Sequence, residues 1–361
     1  MLVFFLFFGF RGYIDTDFAV YYPIYEMTPT LNDVDGTARF FSGINEDYIV
    51  KIEPGFKVAL VILKSISNNY FFLQIVSSLI NVLFLNYFFK RFSPQYALGF
   101  VIFLIFSGLI IEINLIRNSK AIFLFIYSLQ YIKERKALQF YLCNTIGILF
   151  HSSAFFYFPL YFFLHKKFPP FLIWSCFIVG NVLYLGQIKY ITPIITTVGS
   201  FFGGTYSLLA EAYSTSNLYN SGYGITVGYL EKIFTFILFY KSYRRIGEIV
   251  KDEKLLNIFY NLFYLSIFTY LFLSEYTVLI DRMTTLFVFS YWILYPYFYE
   301  AIQKIFKTIF VMILFLFGIL KMYKLNNFIT RNYSNILLGK PSLTNAYYIL
   351  NKHMDKILNP K

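Results

Sequence analysis

The chain has 361 residues, of which 58% are hydrophobic and 23% aromatic while only 14% are charged. A soluble domain carries about 45–50% apolar and about 25% charged residues, so a fold wetted on all sides cannot hide 47 Phe and 34 Tyr among so few charges. The net charge of +12 would suggest nucleic acid in a soluble chain, but in a bilayer it is the Lys and Arg excess kept on inner loops, and no nucleic-acid partner is expected.

Met1–Phe10 is apolar, without the basic start or small-residue cleavage site of a signal peptide. It supplies half of the about 20 residues a crossing helix needs. It reads as the outer half of a span whose start is missing, with shallow seating at the interface as the alternative. Apolar runs follow at about residues 70–89, 96–115, 118–132, 138–150, 153–164, 171–187, 226–240, 256–274, 280–299 and 305–320. Several are short and are expected to tilt or insert partway. The fold class is therefore an all-α polytopic membrane protein of about ten to eleven transmembrane or partly inserted helices, in a single integral membrane domain over 1–361.

Alternation of sides can be checked against the basic residues, which concentrate on cytoplasmic loops. With 11–69 outside, the inner loops hold Lys90 and Arg91, Lys133, Arg135 and Lys136, Lys166 and Lys167, Lys241 to Lys254, and Lys304 and Lys307. The outer connections hold far fewer. The pattern fails at the end, where crossing by 305–320 would put the basic tail 324–361 outside, so this segment is expected to stop short of a full crossing. Residues 11–69 and 188–225 are the long outer loops, suited to lid or binding roles. Within the first, Glu53–Pro54–Gly55 precedes a stretch to Ile66 that suits an interfacial helix. Cys143 and Cys176 sit in apolar runs and read as small hydrophobes. No phosphate-cradling glycine loop and no metal-ligand spacing occurs, so neither a metal nor a cofactor is expected.

Charged residues that abut apolar runs gather on the outer side: Arg11, Asp15 and Asp17 after the first segment; Glu112, Arg117 and Lys120 around the next turn; His151 at another; Glu275, Asp281 and Arg282 at the last. Ionisable groups at membrane depth are costly and suggest a site. Arg11, Arg117 and Arg282 offer planar cationic forks suited to pyrophosphate oxygens. In an extended segment Asp15 and Asp17 would face one way, and either could take a proton from a hydroxyl. A solvated turn or a cap explains the two aspartates as well, and a backbone-bonded His151 needs no catalytic role.

The string Phe10–Arg11–Gly12–Tyr13–Ile14–Asp15–Thr16–Asp17 with Tyr21–Tyr22, then Glu53–Pro54–Gly55–Phe56, Ile116–Arg117, Phe150–His151–Ser152–Ser153–Ala154 and Asp281–Arg282–Met283, resembles the EpsG family of Wzy-type polysaccharide polymerases over about residues 8–300. The family is similar in opening its first large loop with an Arg-x-x-x-Gly-Thr-Asp-like element. Here Asp15 stands where Gly is common, so Asp17 aligns better as the carboxylate, and Asn118 follows Arg117 where Gln is frequent. The resemblance implies a multi-pass glycosyltransferase of the bacterial inner membrane, similar to the C-type superfamily. It would join undecaprenyl-pyrophosphate-linked oligosaccharide repeat units, as donor and acceptor, into capsule, exopolysaccharide or O-antigen. Arg11, Arg117 and Arg282 would be the pyrophosphate clamps, Asp17 the base, Asp15 its neighbour in the turn, and His151 an orienting or acid–base group. The bilayer and a chain-length regulator are the further partners it allows. A lipid-linked oligosaccharide flippase, an O-antigen ligase and a membrane O-acyltransferase are the alternatives.

Overall fold

The computed structural model describes residues 1–42, 52–202, 224–326 and 333–358. Among these the secondary structure is helical, with one isolated antiparallel bridge between Arg11 and Asn335. Four helices are long and apolar enough to cross a membrane, Tyr70–Phe92, Tyr96–Asn114, Glu253–Phe272 and Lys304–Tyr323, and Ala137–Phe150 and Pro170–Leu185 are shorter apolar helices. The chain divides into two compact units, residues 1–162 with 304–361 and residues 163–303.

In the first unit, α1 (Leu2–Gly9) is followed by α2 (Asp17–Met27), α3 (Val34–Ser42), α4 (Pro54–Ile66) and the long α5 (Tyr70–Phe92). At 1.5 Å per residue α1 is about 12 Å long. Helix α4 has the short amphipathic form expected of it, but its lysines turn inward. Lys57 Nζ donates to the Phe40 carbonyl at 2.8 Å and Lys64 lies over the Tyr25 ring, while Val58, Ile62 and Ile66 face out at helical spacing.

The next span is broken. Helix α6 (Tyr96–Phe103) gives way at a kink, Leu104–Gly108, to α7 (Leu109–Asn114); Phe106 and Ser107 leave helical geometry there, Ser107 with a left-handed φ of 70°. Breaking a helix frees carbonyls that hydrocarbon cannot satisfy. Lys321 answers one of them, donating to the Ile105 carbonyl at 3.2 Å beneath the Phe106 and Phe317 rings.

Helices α8 (Asn118–Lys133) and α9 (Ala137–Phe150) form a tight hairpin. Asn144 joins them by donating to Ser128 Oγ at 3.1 Å, and Arg135 closes the turn at a φ of 60°. The run expected at 153–164 is a 3₁₀ segment, Ser152–Phe162, with Tyr157 stacked 3.8 Å from Phe125.

The unit is completed by α16 (Lys304–Asn326) and α17 (Leu343–Leu358). The last apolar segment, expected to stop short, is at 23 residues about 35 Å long, enough by length and apolar composition to cross, and its sides are largely unburied. Beyond it, Ser334–Ile336 dock against Phe10–Gly12.

The second unit contains α10 (Pro170–Leu185), α11 (Ile191–Phe202), α12 (Val227–Val250), α13 (Glu253–Phe272), α14 (Thr277–Thr285) and α15 (Phe289–Ala301). The run expected at 280–299 is thus two helices parted at Leu286–Val288. Rings carry the packing, as in Phe177 stacked 3.7 Å from Phe236. A buried Glu231–Lys232 pair at 3.1 Å sits inside, with Thr235 on the carboxylate and Lys232 facing the Tyr270 and Tyr291 rings.

Candidate active site

Arg11 follows directly on α1. The last carbonyls of a helix have no partner within it, and Arg11 Nη1 caps that of Phe8 at 2.6 Å. The guanidinium is buried, and burial pulls its pKa down against the opposing pull of Tyr70, Glu112 and Asp17.

Asp15 and Asp17 do not lie on an extended strand facing one way. Asp15 is buried in a left-handed turn at a φ of 62°, and Asp17 is the first residue of α2, where its charge suits the helix N-terminus. The left-handed region is open to Gly and tolerated by Asp. Asp15 is thus placed by its backbone, whereas the carboxylate of Asp17 lies among charges, within the electrostatic reach of Arg11 and Tyr21.

Arg117 stands in the turn between α7 and α8. Its Nε donates to Tyr21 Oη at 2.8 Å, and its Nη1 pairs with Glu53 Oε2 in a short ion pair. Burial works against the Arg117 charge, but Tyr21 and Glu53 more than offset it, and the pKa is raised. Tyr21 is pushed up to about 12 by its own burial and stays a neutral phenol.

The other oxygen of Glu53 accepts the Ser152 N–H at 3.1 Å, so one carboxylate ties Arg117 to the start of the 3₁₀ segment. Gly55 permits this closeness, since a Cβ there would meet the Leu149 carbonyl oxygen and Cβ at 2.8 Å. His151 Nδ1 lies 2.8 Å from Ser153 Oγ and 3.2 Å from the Ser153 backbone nitrogen. Ser153 Oγ in turn donates to Asn118 Oδ1 at 2.9 Å.

Beneath this cluster Lys120 is engaged rather than open. It donates to Ser77 Oγ at 2.8 Å and Asn81 Oδ1 at 2.5 Å, and Asn81 donates to Glu112 Oε1 at 2.9 Å. A cavity of about 330 Å³ adjoins it, walled by Phe56, Leu73, Phe84, Tyr127 and Phe150, with Ser77 and Lys120 as its polar margin. Ile116 and Phe150, the residues before Arg117 and His151, both line it.

The structure thus gathers Arg11, Asp15, Asp17, Arg117 and His151 at one end of the first unit. Arg282, with Asp281, belongs to the second unit and is exposed on α14. Glu275, another of the charges expected on this side, caps α11 by accepting the Ile191 and Thr192 N–H groups at 2.6 and 3.0 Å. The aromatic stretch Tyr213–Gly224 lies outside the described residues except for Gly224. Sequence reasoning held Glu53 only as a reserve candidate for the base, after Asp17 and Asp15, and quoted Tyr21 without a place in the site. An acid before Pro-Gly at a helix start was the available signal for Glu53, and Tyr21 had none among 34 tyrosines.

The model of the EpsG family matches residues 1–336. No curated protein and no solved structure matches the chain.

Proposed function

The chain belongs to the EpsG family, the family of Wzy-type polysaccharide polymerases, and on that premise we propose that it joins polyprenyl-pyrophosphate-linked oligosaccharide repeat units at the outer face of a bacterial inner membrane. The observation that carries this reading is Arg117, clamped by Glu53 and Tyr21 and directly following Ile116, which lines an apolar cavity with Lys120 at its margin. A fixed cation above a hydrocarbon-lined space suits a lipid pyrophosphate, with the phosphates at the guanidinium and the first isoprene units below. The volume falls in the range of about 300–1,000 Å³ usual for ligand pockets.

In the reaction an acceptor sugar hydroxyl loses its proton to the Asp17 carboxylate and its oxygen bonds the anomeric carbon of the donor glycan. The bond from that carbon to the pyrophosphate oxygen breaks, and the polyprenyl pyrophosphate leaves with the electron pair. Arg117 and Arg11 take up the charge that grows on the leaving oxygen. Glu53 is a poor candidate for the base because both its oxygens are engaged. It orients Arg117 instead, while Asp15 shapes the turn and His151 orients the wall formed by Ser153 and Asn118.

The test is the size of lipid-linked glycan in cells lacking the gene. Single repeat units accumulating on the carrier would support the proposal. Normal polymer lengths would end it, and repeat units confined to the inner leaflet would favour a flippase.

A further inference from the structure

Four carbonyls at the end of α1 need donors, and the chain supplies several of them from its opposite end. Asn335 Nδ2 donates to the Leu6 carbonyl at 3.0 Å, Tyr333 Oη to that of Phe7 at 2.8 Å, and the Ile336 N–H to that of Phe10 at 2.8 Å. Arg11 itself caps the carbonyl between them, at Phe8. The Gly12 N–H donates to the Ser334 carbonyl at 2.8 Å, closing the antiparallel bridge of Arg11 with Asn335, and the Tyr333 ring stacks on Phe7 at 4.1 Å.

Gly12 fits because it lacks a side chain. A Cβ there would come within 2.2 Å of Ser334 Oγ and 2.9 Å of Pro341 Cβ. Helix α17 continues the contact by laying Leu343, Ala346, Tyr347 and Leu350, one stripe at helical spacing, on the α2 cluster around Phe18 and Tyr21.

We propose that this C-terminal segment is a positioning strap. Tyr333–Ile336 holds the Arg11 turn, and α17 holds the helix that carries Asp17, so a chain end far from the chemistry sets the aim of the anion-binding and basic groups. The proposal rests on the reading of Arg11 and Asp17 given above. A strap that fixes Arg11 governs binding of the pyrophosphate head more than turnover of what is bound. A segment that merely added stability would lower the amount of folded enzyme without a selective change in KM.

The test uses the full chain in nanodiscs carrying Gly12→Cys with Ser334→Cys, whose Cβ atoms would lie about as close as a disulfide needs. Oxidised, the pair pins the strap; reduced, the thiols crowd each other and push it off. Elongation of lipid-linked repeat units and binding of a sugar-free polyprenyl pyrophosphate are read in both states. The reduced form is expected to show KM and Kd raised about tenfold with kcat within about twofold, reversibly, and the oxidised form, which keeps the strap but must still shift Pro341, to recover most of that loss; Gly12→Val should behave as the reduced form.

Unchanged KM and Kd in both the reduced pair and Gly12→Val would overturn the strap, as would an oxidised form that binds no better than the reduced one. If Gly12→Val does not fold, the reversible pair alone decides. A wild type that binds the prenyl pyrophosphate with this redox dependence yet joins no units would end the polymerase reading and leave the strap standing.

Discussion

Replacing Glu53 by Gln removes one charge and almost no volume. The new amide oxygen can still accept the Ser152 N–H, but its NH2 group faces the Arg117 donors, so the loss falls on the guanidinium. The two side chains are 11% and 17% exposed. Stripping a fully buried ion of its partner costs about 3–5 kcal/mol, and a charge-assisted hydrogen bond is worth about 1.5–3 kcal/mol. Because Arg117 retains Tyr21 and some access to water, we expect about 2 kcal/mol. If Glu53 serves to aim Arg117 at the leaving group, the same free energy appears in the transition state as a fall of about 30-fold in kcat/KM.

The assay is elongation of lipid-linked repeat units by purified protein in nanodiscs, with thermal unfolding followed in parallel. Arg117→Met and the double variant complete the cycle. The double variant should be no worse than Arg117→Met alone, since the carboxylate has then nothing to orient. Activity of Glu53→Gln within twofold of wild type, or effects that add in the double variant, would refute the reasoning.

Asp17→Asn is expected to slow elongation by about 10²–10⁴-fold with binding retained, which single-turnover assays would read. Asp15→Val, branched at Cβ and forced into the left-handed region, should unfold at lower temperature and lose activity, read by thermal unfolding and the elongation assay. Arg117→Lys should not restore what Arg117→Ala loses, since an ammonium cannot serve Tyr21, Glu53 and a phosphate from one plane; normal rates in the Lys variant would reduce the role to simple charge. Single cysteines at Ser152 and Leu338 should react with an impermeant thiol reagent from the same side of intact cells. Opposite sides would break the placement of the tail.

Helix positions were legible because apolar runs between charges leave few places to begin or end. The expected 118–132 is found as 118–133 and 138–150 as 137–150. Hydropathy is blind to breaks inside a run, so neither the left-handed Ser107 nor the gap between α14 and α15 was visible. The site was legible as a set of charges at one level, but not as a set of pairings. That Lys120 and Glu112 are joined through Asn81, or that Glu275 caps α11, depends on contacts between residues 31 or more apart in the chain. Counting charges assigns a side and takes no account of docking, so the contacts that tie Asn335 and Tyr333 to α1 were not visible.

The break at Leu104–Gly108 sets which face of α7 meets the protein. Phe106 and Ser107 leave helical geometry there, so the azimuth of α7 is set at the break and is not inherited from the turns of α6. Downstream, Ile111 and Glu112 face the protein while Ile110 remains 37% exposed, and in that orientation the Glu112 carboxylate receives the Asn81 amide. The break thus acts as an angular offset in an otherwise featureless greasy rod.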